Sequence, residues 1–287
     1  MHLHELYRRF RFDRSLAQDP LARVRPFATD ARAGEIAGIF ASTLAIGNTT
    51  AIQGAFDRLS ALVGGDFRAF VDHASSRSPQ RSIQRFRHRW IRGDQMVYLA
   101  RRMAEIYGSY DSLEGVFLEG FQGGQSFAGG IDALAHALRG SYRDGFDRSQ
   151  RSPKGYRQLF PSPLEAPRSP CKRLTLYVRW MTRTGYPDLG LWPHLPTGEL
   201  RIPLDQHVYW IAYNLGLTQR RSRSWATVEE VTERLRRIDP VDPIKFDFVL
   251  CHTGISGDCP KERDLAVCGP CAVRPDCLMW RRTTTHR

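Results

Sequence analysis

The sequence predicts an all-α protein with a metal-bound tail. Three observations carry that prediction. Apolar residues recur at helical spacing along most of the 287 residues, glycines and prolines punctuate the periodic segments, and four of the six cysteines crowd between positions 259 and 277. Strand-rich segments, coiled-coil heptads and internal repeats are not found. The apolar content of 41% suits a globular chain with a sizeable core.

The first strong helix is "AGEIAGIFASTLAIG", Ala33 to Gly47, apolar at every third or fourth position and stopped by glycine. "TTAIQGAFDRLSALVGG" follows, ending in Gly64 and Gly65, and "GDQMVYLARRMAEIYG" repeats the pattern to Gly108. "SLEGVFLEGF" and "GGIDALAHALRGSY" are two shorter helices. "SPCKRLTLYVRWMTRTG" is amphipathic, with Leu174, Tyr177, Val178 and Met181 on one face. Tyr186 to Pro203 is irregular and rich in glycine and proline, with "GELRIP" as a short extended piece. "LDQHVYWIAYNLG" is the next helix. "TVEEVTERLRRI" starts with a capping box, Thr227 and Glu230, and Asp242-Pro243 starts "DPIKFDFVLCHTG".

The formal net charge is +12. So basic a chain suits a polyanionic partner, nucleic acid first, although a generally basic surface would give the same sum. The stretch "RSIQRFRHRWIRGDQ", Arg81 to Gln95, interleaves arginine with aromatics and could line a nucleic-acid groove or be a solvated face. Only four of the 42 basic residues are lysines: Lys154, Lys172, Lys245 and Lys261. A lysine can act as a neutral amine where an arginine cannot, so each is a candidate for chemistry. No apolar run approaches the roughly 18 residues of a membrane span. The N-terminal "MHLHELYRRFRFDRS" lacks the apolar stretch of a secretory leader, so a cytoplasmic protein is expected.

In a reducing compartment, clustered cysteines point to metal rather than disulfides. Cys259, Cys268, Cys271 and Cys277 are spaced C-x8-C-x2-C-x5-C. Four such thiolates can hold a 4Fe–4S cluster or a tetrahedral zinc ion, and the single C-x2-C knuckle favours iron–sulfur. Cys171 and Cys251 read as small buried hydrophobes.

This tail resembles the cluster loop of endonuclease III-like iron–sulfur glycosylases, in the helix-hairpin-helix DNA glycosylase superfamily. The last two gaps match the family's C-x6-C-x2-C-x5-C, and the first is two residues longer. Cys251 is the other nearby candidate for first ligand. Upstream, "IPLDQHVYWIAYNLG" is similar to the family's catalytic-aspartate segment, and "FVLCHTGISGDC" to its helix leading into the first cysteine. The matches run from Ile202 to Cys277. With "SPCKRLTLYVRWM" and "DPIKFDF" they look most like a bacterial branch of the superfamily, with a looser likeness back to Asp19.

The resemblance implies two helical domains with a DNA-glycosylase-like cleft between them. One is a barrel-like domain over 30–200 with a degenerate helix-hairpin-helix. The other is a cluster domain made of 1–29 and 201–287. It also implies removal of a damaged or modified base from double-stranded DNA, by a monomer. Asp205 would be the catalytic carboxylate, stabilising charge on the sugar; by position alone a helix N-cap is the plainer reading, and the two roles are compatible. Lys172, 33 positions upstream, would attack C1′ and give AP-lyase activity, with a longer loop before the aspartate than the family has; a phosphate-holding surface lysine is the plainer alternative. The family's hairpin holds a DNA phosphate on glycine amides. Here the place is "EAPRSPC", where Pro170 has no N–H and Arg168 and Ser169 would substitute. Asn48 would fill the gap left by a flipped base. His207 would contact DNA or be a satisfied core histidine, and its residue type favours the core. The altered hairpin and loop suggest an unusual, bulky base such as the hypermodified bases of phage DNA. Two other activities fit the same residues: a non-catalytic iron–sulfur DNA-binding or redox-responsive module, and an enzyme that modifies a base without releasing it.

Overall fold

A computed structural model describes residues 1–74, 83–140 and 152–281. Arg81 and Ser82 of the basic stretch, and Ser141 and Tyr142 at the end of "GGIDALAHALRGSY", lie outside them. The described chain is predominantly helical, as its periodicity predicts. Its one sheet is a pair of two-residue antiparallel strands, Arg87–His88 and Ile91–Arg92, inside the basic stretch.

The N-terminal elements are α1 (Leu3–Arg9), α2 (Phe12–Leu16) and α3 (Leu21–Val24). They lead into α4 (Ala31–Thr43), started by Asp30, whose carboxylate accepts the Ala33 N–H at 3.0 Å. Every residue of α4 from Gly34 to Thr43 is buried, so this helix is the hub. Glu35 sits within it because three donors converge there: Trp192 Nε1 at 2.5 Å, the Tyr107 hydroxyl at 3.0 Å and the Leu113 amide at 3.3 Å. Burial pushes its carboxyl above the ordinary range, and those bonds oppose the shift.

Next come α5 (Thr49–Leu62), α6 (Phe67–Asp72), α7 (Gly93–Tyr107), α8 (Leu113–Gly124) and α9 (Phe127–Arg139). α8 and α9 form a tight hairpin because Gly120 and Gly129 meet without side chains. A Cβ on Gly120 would lie 2.5 Å from the Gly129 carbonyl oxygen and 2.4 Å from the Ala133 Cβ. Gly120→Ala should force the pair apart and cost about 1–3 kcal/mol; an unchanged urea midpoint would show that the contact is not stabilising.

α10 (Lys172–Thr182) packs across α4, where the Met181 and Tyr177 side chains lie against Gly38. The four residues expected on its apolar face are buried, and so is every other residue from Leu174 to Thr182. The chain continues through α11 (Gln206–Asn214), α12 (Trp225–Arg236), α13 (Phe246–Ile255), α14 (Leu265–Cys268) and α15 (Leu278–Arg281). "GELRIP" is a 3₁₀ turn, Thr197–Glu199, followed by irregular chain, not a strand. The expected capping box is displaced. α12 starts at Trp225, because that ring is buried against Phe127, so Thr227 lies inside the helix and donates to the Ser222 carbonyl at 2.6 Å. Glu230 bonds the Thr218 hydroxyl instead. Asp242 does not cap with its side chain; it pairs with Arg183.

Two buried arginines of the α10 segment fix the C-terminal half. Arg179 pairs with Asp188 at 3.0 Å and with Asp247 of α13. Arg183 pairs with Asp188 and, at 2.8 Å, with Asp242. The N-terminal segment closes on the C-terminal one: His4 and Tyr7 pack edge-on against Phe246, and the His2 amide donates to Asp276 at 2.6 Å. The buried apolar side chains of the described residues form one connected core. No helix among those residues is long and apolar enough to cross a membrane.

Candidate functional site

Three helix starts converge on one cavity of about 250 Å³. α10 brings Lys172, α11 brings Asp205 and His207, and α5 brings Asn48; Asp19 and the α13 residues Asp247, Cys251 and His252 complete the polar wall. Leu176, Trp180, Ile52 and Phe248 supply apolar surface. The fold thus brings together Lys172 and Asp205, separated by 33 positions in sequence.

Lys172 is the first residue of α10, behind Cys171, which adopts a left-handed conformation at φ 49°. Ser169 sets this entry: its hydroxyl accepts the Cys171 N–H at 3.2 Å. The Lys172 ammonium has no ion-pair partner among the described residues. Asp205 is the N-cap foreseen for it, and its second oxygen faces the cavity group Cys251. Oδ1 accepts the Val208 N–H at 2.9 Å as an N-cap, while Oδ2 faces the Cys251 thiol at 3.3 Å. Asn48 likewise caps α5, accepting the Ala51 N–H at 2.8 Å, and stands exposed at the cavity.

His207 is not a core histidine. It is exposed and lines the cavity, because the first turn of α11 stands proud of the core and only Val208 turns inward. Arg168 and Ser169 stay outside the cavity, on the loop before α10, with Arg168 exposed. Cys251 is not merely a small apolar filler, since its thiol donates to Asp205. Burial, then the Asp205 and Asp247 charges, push that thiol well above its ordinary range.

Sequence reasoning missed Asp19, Arg179, Asp247 and His252. Asp19 accepts the Leu21 N–H at 2.8 Å and pairs with His252 at 2.9 Å. Burial acts to raise its carboxyl, but the His252 hydrogen bond and charge and the Leu21 amide together hold it below the ordinary range. Asp247 goes the other way. Burial pushes it up to about 6, the Asp205 and Asp188 charges add to the rise, and Arg179 opposes it.

The cysteine loop lies apart from this cavity. The Cys259 amide bonds the Thr253 carbonyl at 3.1 Å, tying the loop to α13, and a run of turns joins Cys268, Cys271 and Cys277. Arg263 and Arg274 lie over the Trp280 ring. None of the cysteines is in a disulfide. Cys259 is pushed up to about 12 by burial and then by Cys277, Cys271 and Cys268. Cys251 interacts with the cavity groups instead. Among the described residues, no three His, Cys, Asp or Glu form a group that could hold a single metal ion.

Fold and cavity define a helical protein with a lysine and an aspartate presented from neighbouring helix starts. Residues 19–256 match a family described as "Protein of unknown function (DUF2400)", and the chain belongs to that family. The match contains every residue of the cavity and stops before Cys259. Neither the curated proteins nor the solved structures yield a match.

Proposed function

We propose that the protein is a DNA glycosylase with AP-lyase activity, acting on a damaged or modified base in double-stranded DNA. One observation carries the reading: Lys172 and Asp205 line the same cavity from two helix starts. Cleaving an N-glycosidic bond leaves positive charge on the sugar, which a carboxylate beneath it stabilises. Lys172, as a neutral amine, would attack C1′; the C1′–N bond breaks and the base leaves with the electron pair, taking up the proton that the attacking nitrogen loses; the C1′–O4′ bond then breaks, O4′ takes a proton from water, and a protonated Schiff base remains. The base must first be turned out of the duplex. Asn48 and His207, exposed at the cavity, suit contacts with the opened strand, and Arg168 and Ser169 suit a phosphate beside it. The cavity is slightly smaller than the about 300 Å³ at which drug-sized sites begin. It suits one heterocycle whose substituents point outward, as a bulky phage-type base would require.

Cys259, Cys268, Cys271 and Cys277 would hold a 4Fe–4S cluster. A cluster gives each thiolate its own iron and so needs wider spacing than one zinc ion, whose sulfurs lie about 2.3 Å from a common centre. The cluster would stiffen the loop beside the DNA surface. Anaerobically purified protein should contain about four irons per chain and lose them in Cys268→Ala; stoichiometric zinc would replace the cluster by the tetrahedral alternative.

The deciding experiment is borohydride trapping on duplex DNA with an abasic site. A covalent adduct is expected, absent in Lys172→Ala. With no adduct, a panel of modified bases separates the remaining readings by mass spectrometry. Free base marks a glycosylase working through Asp205 alone, a retained altered nucleoside marks a base-modifying enzyme, and neither product marks a DNA-binding module.

A further inference from the structure

Seven buried side-chain polar atoms among the described residues have no hydrogen-bond partner, and two belong to residues that line the cavity: Asp247 Oδ1 and Trp180 Nε1. Both side chains are deeply buried, at 2% and 1% exposure. The three cavity carboxylates are not equivalent. Asp19 has both oxygens engaged, by Leu21 and His252, and Asp205 has both engaged, by Val208 and Cys251. Asp247 has only Oδ2 engaged, by Arg179. Arg179 is held on its other side by Asp188, so the carboxylate is fixed with one acceptor left over. A buried acceptor and a buried donor without partners are costly to a fold and are commonly kept where a ligand satisfies them.

We infer that Asp247 and Trp180 read the hydrogen-bonding edge of a nucleobase: Asp247 Oδ1 accepts an N–H, and Trp180 Nε1 donates to a neighbouring ring acceptor. This rests on the reading that the cavity receives a base. Oδ2 of Asp247 is already held by Arg179, so its free oxygen is left to accept an N–H from a ligand. An N–H beside an acceptor is what the Watson–Crick edge of an unalkylated base presents. The substrate class is therefore a base modified away from that edge, with its substituent directed out of the cavity. Bases alkylated on the edge are rejected, because the methyl group replaces the N–H that Asp247 Oδ1 needs, as in 3-methyluracil, or blocks the ring acceptor that Trp180 Nε1 needs, as in 3-methylcytosine and 1-methyladenine.

The test uses the full-length protein and free bases as probes: uracil against 3-methyluracil, cytosine against 3-methylcytosine, adenine against 1-methyladenine. Binding is followed by saturation-transfer NMR. At least one parent base should bind, and its methylated partner at least tenfold more weakly. Asp247→Asn, which turns an amide N–H where an acceptor is needed, should erase that ratio, and Trp180→Phe should weaken the parent base several-fold. Thermal midpoints of both variants confirm that they fold. Equal binding of parent and methylated bases, a ratio unchanged in Asp247→Asn, or no binding of any base overturns the inference. The outcome is separable from the glycosylase reading. Edge discrimination without borohydride trapping keeps this inference and removes the Lys172 lyase step; trapping with indiscriminate base binding does the reverse.

Discussion

Asp205→Asn is expected to slow base release by about 10²- to 10⁴-fold while leaving DNA binding and stability nearly intact. The substitution is informative because the proposed mechanism gives Asp205 a second job beside its cap. Its Oδ1 caps α11 through the Val208 amide, and asparagine caps as well as aspartate. Its charge is what asparagine removes, and in the proposed mechanism it is the glycosidic chemistry that needs the charge. Asp205→Ala is the companion, since it loses cap and charge together and should also destabilise the fold by about 1 kcal/mol. Single-turnover excision and a gel shift on the same duplex separate the two effects. An excision rate that survives Asp205→Asn would leave the residue as a cap alone.

Arg179→Met should destabilise the protein by about 3–5 kcal/mol, because it leaves Asp188 and Asp247 buried without the cation that faces both. The deficit should depend on pH with a definite sign. The Asp247 carboxyl already lies at about 6 in the fold, above the ordinary 3.8, and Arg179 is the largest influence holding it down. Without the arginine it rises further. A carboxyl raised on folding binds its proton more readily in the native state, so its penalty is absent at low pH and grows as pH rises through the folded value. Urea midpoints for wild type and Arg179→Met should therefore converge toward pH 4.5 and diverge above pH 6. A deficit of constant size from pH 4.5 to 8 would mean that the lost packing of the arginine stem, not its charge, is responsible.

Much of the helical framework is legible in the sequence. Asp30, the glycine at 47 and the apolar periods of the α4, α5 and α10 segments mark elements that local chemistry alone can specify. The meeting of Lys172 with Asp205 is not local; it was readable only because the order of segments resembles a known family. Arg179 and Asp247 went unread, although each had a signal. A charge set among large apolar residues, as in "LYVRWM" and "FDFVLC", implies a buried partner. What one sequence cannot supply is which partner, and these two lie 68 positions apart. Thr227 misled because a capping pattern was weighed without the neighbouring Trp225, whose burial draws the helix start forward. His207 misled because residue type says nothing about which way the first turn of a helix faces.

The ion pairs that run from Asp242 through Arg183, Asp188 and Arg179 to Asp247 alternate in sign along their whole length. Only the Asp242 end is appreciably open to solvent, at 24%. Such a string behaves like a row of dominoes held upright by their neighbours: neutralising any link unbalances what stands beside it. A change in the connection before α13 therefore alters the charges that face Arg179 and Asp247, two residues of the cavity wall, without altering a residue of that wall.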